Sequence, residues 1–251
     1  MAAFVDHGRL AGRVVLVTGA SRGLGYALAE ALEAVDARLA LCARSAGGLA
    51  ELAEKLRARR AARGGGDDPV FAAAVDVTDG AAVRRFVDAT HARFGRLDVV
   101  INNAGSGSYR PFLDDDLDAI DRTIDVCLKG PMYVCRAALP HLLAGGGGHV
   151  VNVASDLARR PLAQMAPYVA AKHGLLGFGA SLLREYKDRG LRVTTFNPGI
   201  MDTWFGGGTP GRPSAGALRA DTVAAMLVEL LCWPPEVLVD EITAHPPRQD
   251  F

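Results

Sequence analysis

The sequence carries no excess of charge of either sign, because 28 Lys and Arg residues balance 28 Asp and Glu residues. This balance argues against a protein that binds nucleic acid through an overall basic surface. No run of about 18 uncharged apolar residues is present, so the sequence predicts no membrane span. The N-terminal segment contains Asp6, His7 and Arg9 but no apolar run of signal-peptide length, which argues against secretion.

Cysteine is scarce, and its spacing has no pattern of a metal site. The four cysteines are Cys42, Cys127, Cys135 and Cys232. None belongs to a CxxC pair and none has zinc-ligand spacing, so we predict no bound metal. Free, buried thiols are typical of a reducing compartment, and without a secretory signal they predict a cytoplasmic protein.

Short runs of β-branched and other apolar residues alternate with longer segments of helical periodicity. The predicted strands are Val14–Val17, Leu39–Cys42, Val70–Val75, Leu97–Ile101, His149–Ala154, Leu191–Phe196 and Val237–Ile242. The predicted helices include Leu24–Leu32, Ala81–Phe94, Asp116–Leu143, Ala166–Arg189 and Thr222–Leu231. This alternation predicts a three-layer, doubly wound α/β fold with a parallel sheet, and we expect one domain over residues 1–251. Its ligand site should lie at the carboxyl ends of the strands.

A glycine-rich turn separates the first strand from the first helix. The segment Thr18–Gly25 contains Gly19, Gly23 and Gly25 in a GxxxGxG pattern. Such a turn lets the backbone approach a pyrophosphate, and the helix N-terminus presents unpaired N–H groups to it. The position of the turn directly after the first strand favours a dinucleotide site over the alternative of simple helix-capping glycines.

The same turn matches the GxSxG pattern of α/β-hydrolases, with Ser21 as the nucleophile. A hydrolase nucleophile normally follows several earlier strands, whereas this turn follows the first. A hydrolase is therefore the weaker interpretation, and it predicts ester cleavage that depends on Ser21.

The end of the second strand predicts which nicotinamide cofactor is bound. An NAD site uses a carboxylate there to accept hydrogen bonds from the ribose hydroxyls. This strand is followed instead by Arg44 and Ser45, and Arg22 lies in the glycine turn. Two guanidinium groups and a hydroxyl suit a 2′-phosphate, which predicts NADP(H), although Arg44 could also be a solvated loop cation.

Tyr168 and Lys172 are four residues apart and lie on one face of a predicted helix. The ammonium group should lower the pKa of the phenol and make proton transfer feasible nearer neutral pH. Ser155 follows the fifth strand, 13 residues before Tyr168, so it can reach the same edge of the sheet. A YxxxK pair alone is common on exposed helices, and the combination with Ser155 makes it informative.

These motifs together resemble the short-chain dehydrogenase/reductase family over Leu10–Ile242, nearly the whole chain. The further shared motifs are Asp76-Val77 after the third strand, Asn102–Gly105 after the fourth, and Asn197–Thr203 after the sixth. The resemblance implies a Rossmann-type domain and hydride exchange between a nicotinamide and a small carbonyl or alcohol substrate. It also implies a homodimer or homotetramer.

The resemblance implies a role for each matching residue. Tyr168 would be the general acid or base, Ser155 would bind the substrate oxygen, and Lys172 would bind the nicotinamide ribose and lower the pKa of Tyr168. With the arginine site included, the expected cofactor-binding residues are Gly19, Ser21, Arg22, Gly23, Leu24, Gly25, Arg44, Ser45, Asp76, Val77, Asn103, Ala104, Gly105, Tyr168, Lys172, Pro198, Gly199, Ile200 and Thr203.

Two positions depart from the family pattern. Cys127 stands where the family usually has an asparagine that helps to hold a water connecting the lysine to solvent, and a thiol is a weak hydrogen-bonding group. We therefore expect a weakened proton relay, with a cofactor-binding regulatory protein of impaired turnover as the alternative. Asp36 occupies a turn where the family often has glycine, and Asp tolerates the left-handed conformation better than most residues.

The segment 204–220 is rich in glycine and proline and is predicted to be a mobile lid over the substrate, or else a plain surface loop. Trp204 and Phe205 are its large apolar residues and could face the substrate. Asp156, Arg159 and Arg160 add charge near the entrance, where they could equally be solvated. None of these residues specifies a substrate.

Overall fold

The fold is built on a seven-stranded parallel sheet. The structure, a computed structural model, describes residues 5–65, 68–203, 205 and 216–249. The strands are β1 (Val14–Thr18), β2 (Arg38–Ala43), β3 (Val70–Ala74), β4 (Val99–Asn102), β5 (Gly148–Val153), β6 (Leu191–Pro198), β7 (Met201–Asp202), β8 (Leu218–Arg219) and β9 (Glu241–Ala244). The sheet order is β3-β2-β1-β4-β5-β6-β9, while β7 and β8 form a separate short parallel pair.

Helices cover both faces of the sheet. They are α1 (Gly23–Ala34), α2 (Ala46–Ala62), α3 (Gly80–Phe94), α4 (Leu117–Ile124), α5 (Gly130–Ala144), α6 (Ala166–Tyr186) and α7 (Ala220–Leu231). One hydrophobic core forms between the sheet and α1, α2 and α7, and a second forms on the opposite face against α3, α5 and α6. The predicted three-layer, doubly wound α/β fold is confirmed.

The central strands are apolar on both sides because each side meets a different helical layer. In β1, Val15 and Val17 pack into the core with α1, whereas Val14 and Leu16 pack into the core with α3 and α5. All five residues of β1 are buried. The continuous run of valine and leucine in the sequence is thus the direct consequence of a strand covered twice.

The strand order places a crevice at the centre of the sheet. The chain runs outwards from β1 through β2 to β3, and then returns to β4 on the other side of β1. The loops that follow β1 and β4 therefore diverge at the carboxyl edge, and this is where open α/β sheets bind ligands. The glycine turn follows β1, and Asn103–Gly105 follows β4, so both border this crevice.

The long helix predicted over Asp116–Leu143 is interrupted. α4 ends at Ile124, and Asp125–Lys129 form a π-helical turn before α5 begins. The N–H of Gly130 donates to the carbonyl of Asp125, which is the wider hydrogen bond of a π turn. A Cβ at Gly130 would lie 2.9 Å from Val77 Cγ2, so this glycine lets the turn approach the loop after β3.

The final strand was predicted too early, at Val237–Ile242. The observed β9 starts at Glu241, opposite Thr195. The N–H of Val237 instead donates to the carbonyl of Pro234 at 2.9 Å, which makes the start of the predicted strand part of a turn. Alternating valines gave the strand pattern, but this local turn keeps Val237 out of the sheet.

Two further expectations concern loops. Asp36 adopts the left-handed conformation, with a φ of 61°, and its carboxylate pairs with Arg60 and Arg63. The predicted lid at residues 204–220, including Trp204, lies mostly outside the described residues. Only Phe205 and residues 216–220 of it are described, and there the chain forms β8 and enters α7.

Within the described ranges, none of the helices combines the length and the apolar character needed to cross a bilayer.

Candidate active site

The glycine turn is braced by the loop that follows β4. The hydroxyl oxygen of Thr18 accepts hydrogen bonds from the N–H groups of Asn103 and Ala104, both at 3.0 Å. The side-chain amide of Asn103 donates to the carbonyls of Thr18 and Gly19 at 2.9 and 3.2 Å. Because these contacts use both of its N–H donors, the Asn103 amide acts as a structural brace between the two loops.

Close packing explains the glycines of the turn. Gly19 and Gly23 have φ angles of 69° and 58°, in the region that favours glycine. A Cβ on Gly25 would overlap the carbonyl of Gly19 and lie 2.5 Å from Asn103 Nδ2. Arg22 is extended at the N-cap of α1, so the first N–H groups of the helix face the crevice with no side-chain cap of their own.

Basic residues lie at the end of β2, as predicted. Arg22, Arg44 and Ser45 line the same cavity, and Arg44 and Ser45 are exposed. Asp76 follows β3 beside them and accepts hydrogen bonds from Thr78 N at 3.0 Å and Thr78 Oγ at 2.8 Å. Partial burial acts to raise the pKa of Asp76, but the bonds from Thr78 and the charge of Arg44 outweigh it and hold the pKa below its ordinary value.

Ser155, Tyr168 and Lys172 meet at the other end of the crevice. They are 7%, 8% and 3% exposed. Lys172 Nζ donates to the carbonyl of Val153 at 2.7 Å and lies 5.5 Å from the centre of the Tyr168 ring. The backbone N–H of Leu157 donates to Ser155 Oγ at 3.2 Å, which fixes the hydroxyl at the end of β5.

The predicted lowering of the tyrosine pKa is not found in the protein alone. Burial raises the pKa of Tyr168, and a hydrogen bond with Ser155 opposes this rise without cancelling it. Burial also lowers the pKa of Lys172, because a desolvated ammonium is disfavoured. The spacing on the helix predicts that the two groups are neighbours but does not predict their burial, and desolvation dominates both pKa shifts.

Cys127 makes hydrogen bonds despite its weak thiol. It is fully buried in the π turn; its sulfur accepts from Ser106 N at 3.3 Å and the thiol donates to Ser106 O at 3.0 Å. Residue 127 thus ties the loop after β4 to the turn between α4 and α5. The side chain stays outside the lining of the main cavity.

The far side of the cavity is formed by apolar residues and by the C-terminal segment. The Phe205 ring lies 5.0 Å from the Tyr168 ring. Gln249 Oε1 accepts from Ile200 N at 2.9 Å, and its amide nitrogen donates to Asp156 Oδ2. Gln249 was missed by the sequence reasoning, since nothing in the pattern of the last ten residues indicates a return to the cavity. The neighbouring Arg159 points away and pairs with Glu241 at 2.6 Å.

The predicted residues surround one cavity of about 820 Å³. Of the catalytic and cofactor-binding candidates, only Gly25 and Cys127 do not line it, and both act behind its wall. The cavity therefore connects the glycine turn to Ser155, Tyr168 and Lys172. Among the described residues, no group of three or more His, Cys, Asp or Glu side chains has the arrangement of a metal site.

Comparison with known proteins agrees with this geometry. The short chain dehydrogenase family model matches residues 13–209. The chain belongs to the short-chain dehydrogenase/reductase family and is an oxidoreductase of that class. This membership replaces the hydrolase interpretation of the turn at Ser21.

Individual relatives cover most of the chain. A D-threitol dehydrogenase of Mycolicibacterium smegmatis is 37% identical over 211 residues, which is 84% of this chain and 78% of the relative. The solved alcohol dehydrogenase of Thermococcus sibiricus, complexed with 5-hydroxy-NADP, is 32% identical with a TM-score of 0.88, covering 95% of this chain and 98% of that one. A metagenomic short-chain oxidoreductase in complex with NADP is 29% identical with a TM-score of 0.81, covering 96% and 100%.

Proposed function

We propose that the protein is an NADP(H)-dependent oxidoreductase that interconverts a carbonyl and a secondary alcohol, with Tyr168 as the general acid or base. The observation that carries the proposal is the shared cavity, which joins Ser155, Tyr168 and Lys172 to the glycine turn. Two solved relatives hold NADP or a derivative of it, and one sequence relative is named for oxidation of a polyol.

The residues at the carboxyl edge fit an NADP(H) molecule. The first N–H groups of α1 have no side-chain cap, so they are open to a pyrophosphate at the start of the helix. Arg22 and Arg44 offer two guanidinium groups to a 2′-phosphate, and no acid immediately follows β2. Asp76 and Val77 would flank the adenine, while Pro198–Ile200 and Thr203 would line the nicotinamide.

The bound cofactor would supply or accept the hydride. Tyr168 would hold the proton that the substrate oxygen gains in reduction, and Ser155 would donate a hydrogen bond to the same oxygen. Lys172 is fixed by the Val153 carbonyl and leaves its other N–H donors for the ribose and the phenol side of the cavity. Burial of all three groups excludes bulk water and strengthens each of these interactions.

The cofactor assignment is tested at Arg44. Arg44→Ala should reduce kcat/KM for NADPH about 10- to 100-fold, since a hydrogen-bonded charge is worth roughly 1.5–3 kcal/mol. Activity with NADH should change less than about threefold. Arg85→Ala removes an exposed arginine on α3 and should leave both values unchanged. Wild-type efficiency with NADH equal to or above that with NADPH would refute the assignment.

The catalytic assignment is tested with NADPH and a panel of ketones, aldehydes and 3-oxoacyl thioesters. Tyr168→Phe should lose at least about 100-fold in kcat while still binding NADPH, because proton transfer contributes about 10²–10⁴-fold. Tight NADPH binding by the wild type with no turnover on any compound would favour the regulatory alternative. The single-domain organisation, a cytoplasmic location and a homodimer or homotetramer stay predictions; light scattering would test the last.

A further inference from the structure

Asp156 is a buried carboxylate beside the proposed catalytic serine. It is 3% exposed and lines the main cavity. Ser155 Oγ donates to Asp156 Oδ1 at 3.2 Å, and the amide of Gln249 donates to Asp156 Oδ2. A carboxylate offers about four acceptor positions, so these two side-chain bonds leave acceptor capacity beside Ser155. Burying a charge is costly unless it is well partnered, so this capacity calls for an explanation.

The present hydrogen bonding conflicts with the role of Ser155. A serine hydroxyl has one proton, and Asp156 Oδ1 competes for it with the oxygen of Tyr168. The proposed reaction needs the same proton on the reacting oxygen of the substrate. A substrate that brings its own hydroxyl to Oδ1 would use the remaining acceptor capacity of the carboxylate and weaken its competition for the serine proton. A substrate without such a hydroxyl would compete with a carboxylate for it.

The distance between the two groups sets where that hydroxyl must be. Ser155 Oγ and Asp156 Oδ1 are 3.2 Å apart, which is about the spacing of two oxygens on neighbouring carbon atoms. We infer that Asp156 is a specificity-determining residue that accepts a hydrogen bond from a hydroxyl next to the reacting carbon. The substrates are then α-hydroxy ketones in reduction and vicinal diols in oxidation; this inference rests on the proposed function.

The chemistry needs no further reactant. In reduction the carbonyl carbon gains a hydride and its oxygen gains a proton, NADPH becomes NADP⁺, and the neighbouring hydroxyl is unchanged. Arg160 and Gln249 also border this side of the cavity. The carboxylate further disfavours substrates with an anionic group next to the carbonyl.

The test compares two ketones of equal size. They are 3-hydroxy-2-butanone and 3-methyl-2-butanone, which differ by a hydroxyl in place of a methyl. Wild-type kcat/KM should favour the hydroxy ketone about 10- to 100-fold, the value of a hydrogen bond to a charged group. In Asp156→Ala the preference should fall below about threefold, because the acceptor for the substrate hydroxyl is gone. Asp188→Ala, which removes an exposed acid, should keep the wild-type preference.

Asp156→Asn keeps the shape of the side chain and serves if the alanine variant does not fold. It should weaken the preference at least about threefold, because the acceptor is no longer charged. The inference is overturned if the wild type shows no preference, or if the folded Asp156 variants retain it. Turnover of 3-methyl-2-butanone separates a structural defect from a loss of specificity. A structural defect in an Asp156 variant would reduce turnover of both ketones together.

A binding measurement separates this inference from the proposed function. In the NADPH-loaded Tyr168→Phe variant, 3-hydroxy-2-butanone should raise the melting temperature more than 3-methyl-2-butanone. The double variant with Asp156→Ala should show no such difference. Absence of turnover on every carbonyl compound would refute the proposed function. Even then, a larger rise in melting temperature with the hydroxy ketone that is lost in the Asp156 variant supports the binding site. Equal rises with the two ketones overturn the inference about Asp156.

Discussion

Replacing Lys172 with methionine should abolish turnover and yet stabilise the fold. Lys172 is 3% exposed, and its Nζ donates a hydrogen bond to the Val153 carbonyl at 2.7 Å. Desolvating such an ion costs several kcal/mol, while one hydrogen bond to a charged donor returns about 1.5–3 kcal/mol. Methionine has a similar volume without the charge, so we expect a net gain of about 1–3 kcal/mol.

Thermal unfolding of the cofactor-free protein at pH 7 measures this gain. About 3 °C per kcal/mol for a chain of this size gives a rise in Tm of roughly 3–9 °C. The exposed Lys187 provides a control, and Lys187→Met should move Tm by less than about 2 °C. A Tm for Lys172→Met below that of the wild type would refute the reasoning, since it would mean that the hydrogen bond outweighs desolvation.

The same variant has a pH signature. Burial holds the pKa of Lys172 in the folded state below its ordinary value of 10.5. Between the two values the unfolded chain binds more protons than the folded one, so wild-type stability rises with pH in this window. The advantage of Lys172→Met should therefore be full below the folded-state pKa and shrink as the pH approaches 10.5.

Three further predictions concern the glycine turn, a buried histidine of β5 and the π turn. Gly25→Ala should cost at least about 2 kcal/mol of stability and weaken NADPH binding, because its Cβ would overlap the Gly19 carbonyl; Gly47→Ala on α2 has open space and should gain up to about 1 kcal/mol by urea unfolding. Burial lowers the pKa of His149 to about 3, so wild-type stability should fall by up to roughly 1.4 kcal/mol per pH unit below 6.5, and His149→Gln should flatten that loss. Cys127→Ser keeps a donor and an acceptor for the backbone of Ser106, so turnover should change less than about twofold and stability should hold. Cys127→Ala removes both groups and should lose about 1 kcal/mol of stability.

The parts of the fold that depend on local pattern could be read from the sequence. The run of apolar residues at Val14–Val17 is long enough only for a strand, and its lack of alternation matches burial on both faces. The crevice at the carboxyl edge followed from the strand–helix alternation, because the topology of such sheets is strongly constrained. Residues of the site that directly follow strands, such as Ser155 and Asn103, could therefore be placed early.

The rest depends on tertiary contacts between distant segments. Gln249 meets Asp156 across 93 residues, and no periodicity or turn signal marks either residue as a partner. The pKa direction of Tyr168 was also wrong from sequence, because spacing along a helix gives the neighbour but not the burial. The π turn at Asp125–Lys129 gave no signal either, since its residues continue the helical pattern on both sides.

The cysteine at position 127 shows how a departure from a family pattern can keep its architecture. A thiol cannot replace an amide in strength, but here it both accepts from and donates to the backbone of Ser106. The wider turn also leaves the chain at residue 127 in contact with the loop that follows β4. Because that loop carries the Asn103 brace of the glycine turn, Cys127 supports the cofactor end of the crevice as well as the catalytic end. The family membership does not favour the regulatory alternative, and the weakened proton relay expected from Cys127 stays a prediction that its bonds to Ser106 do not test.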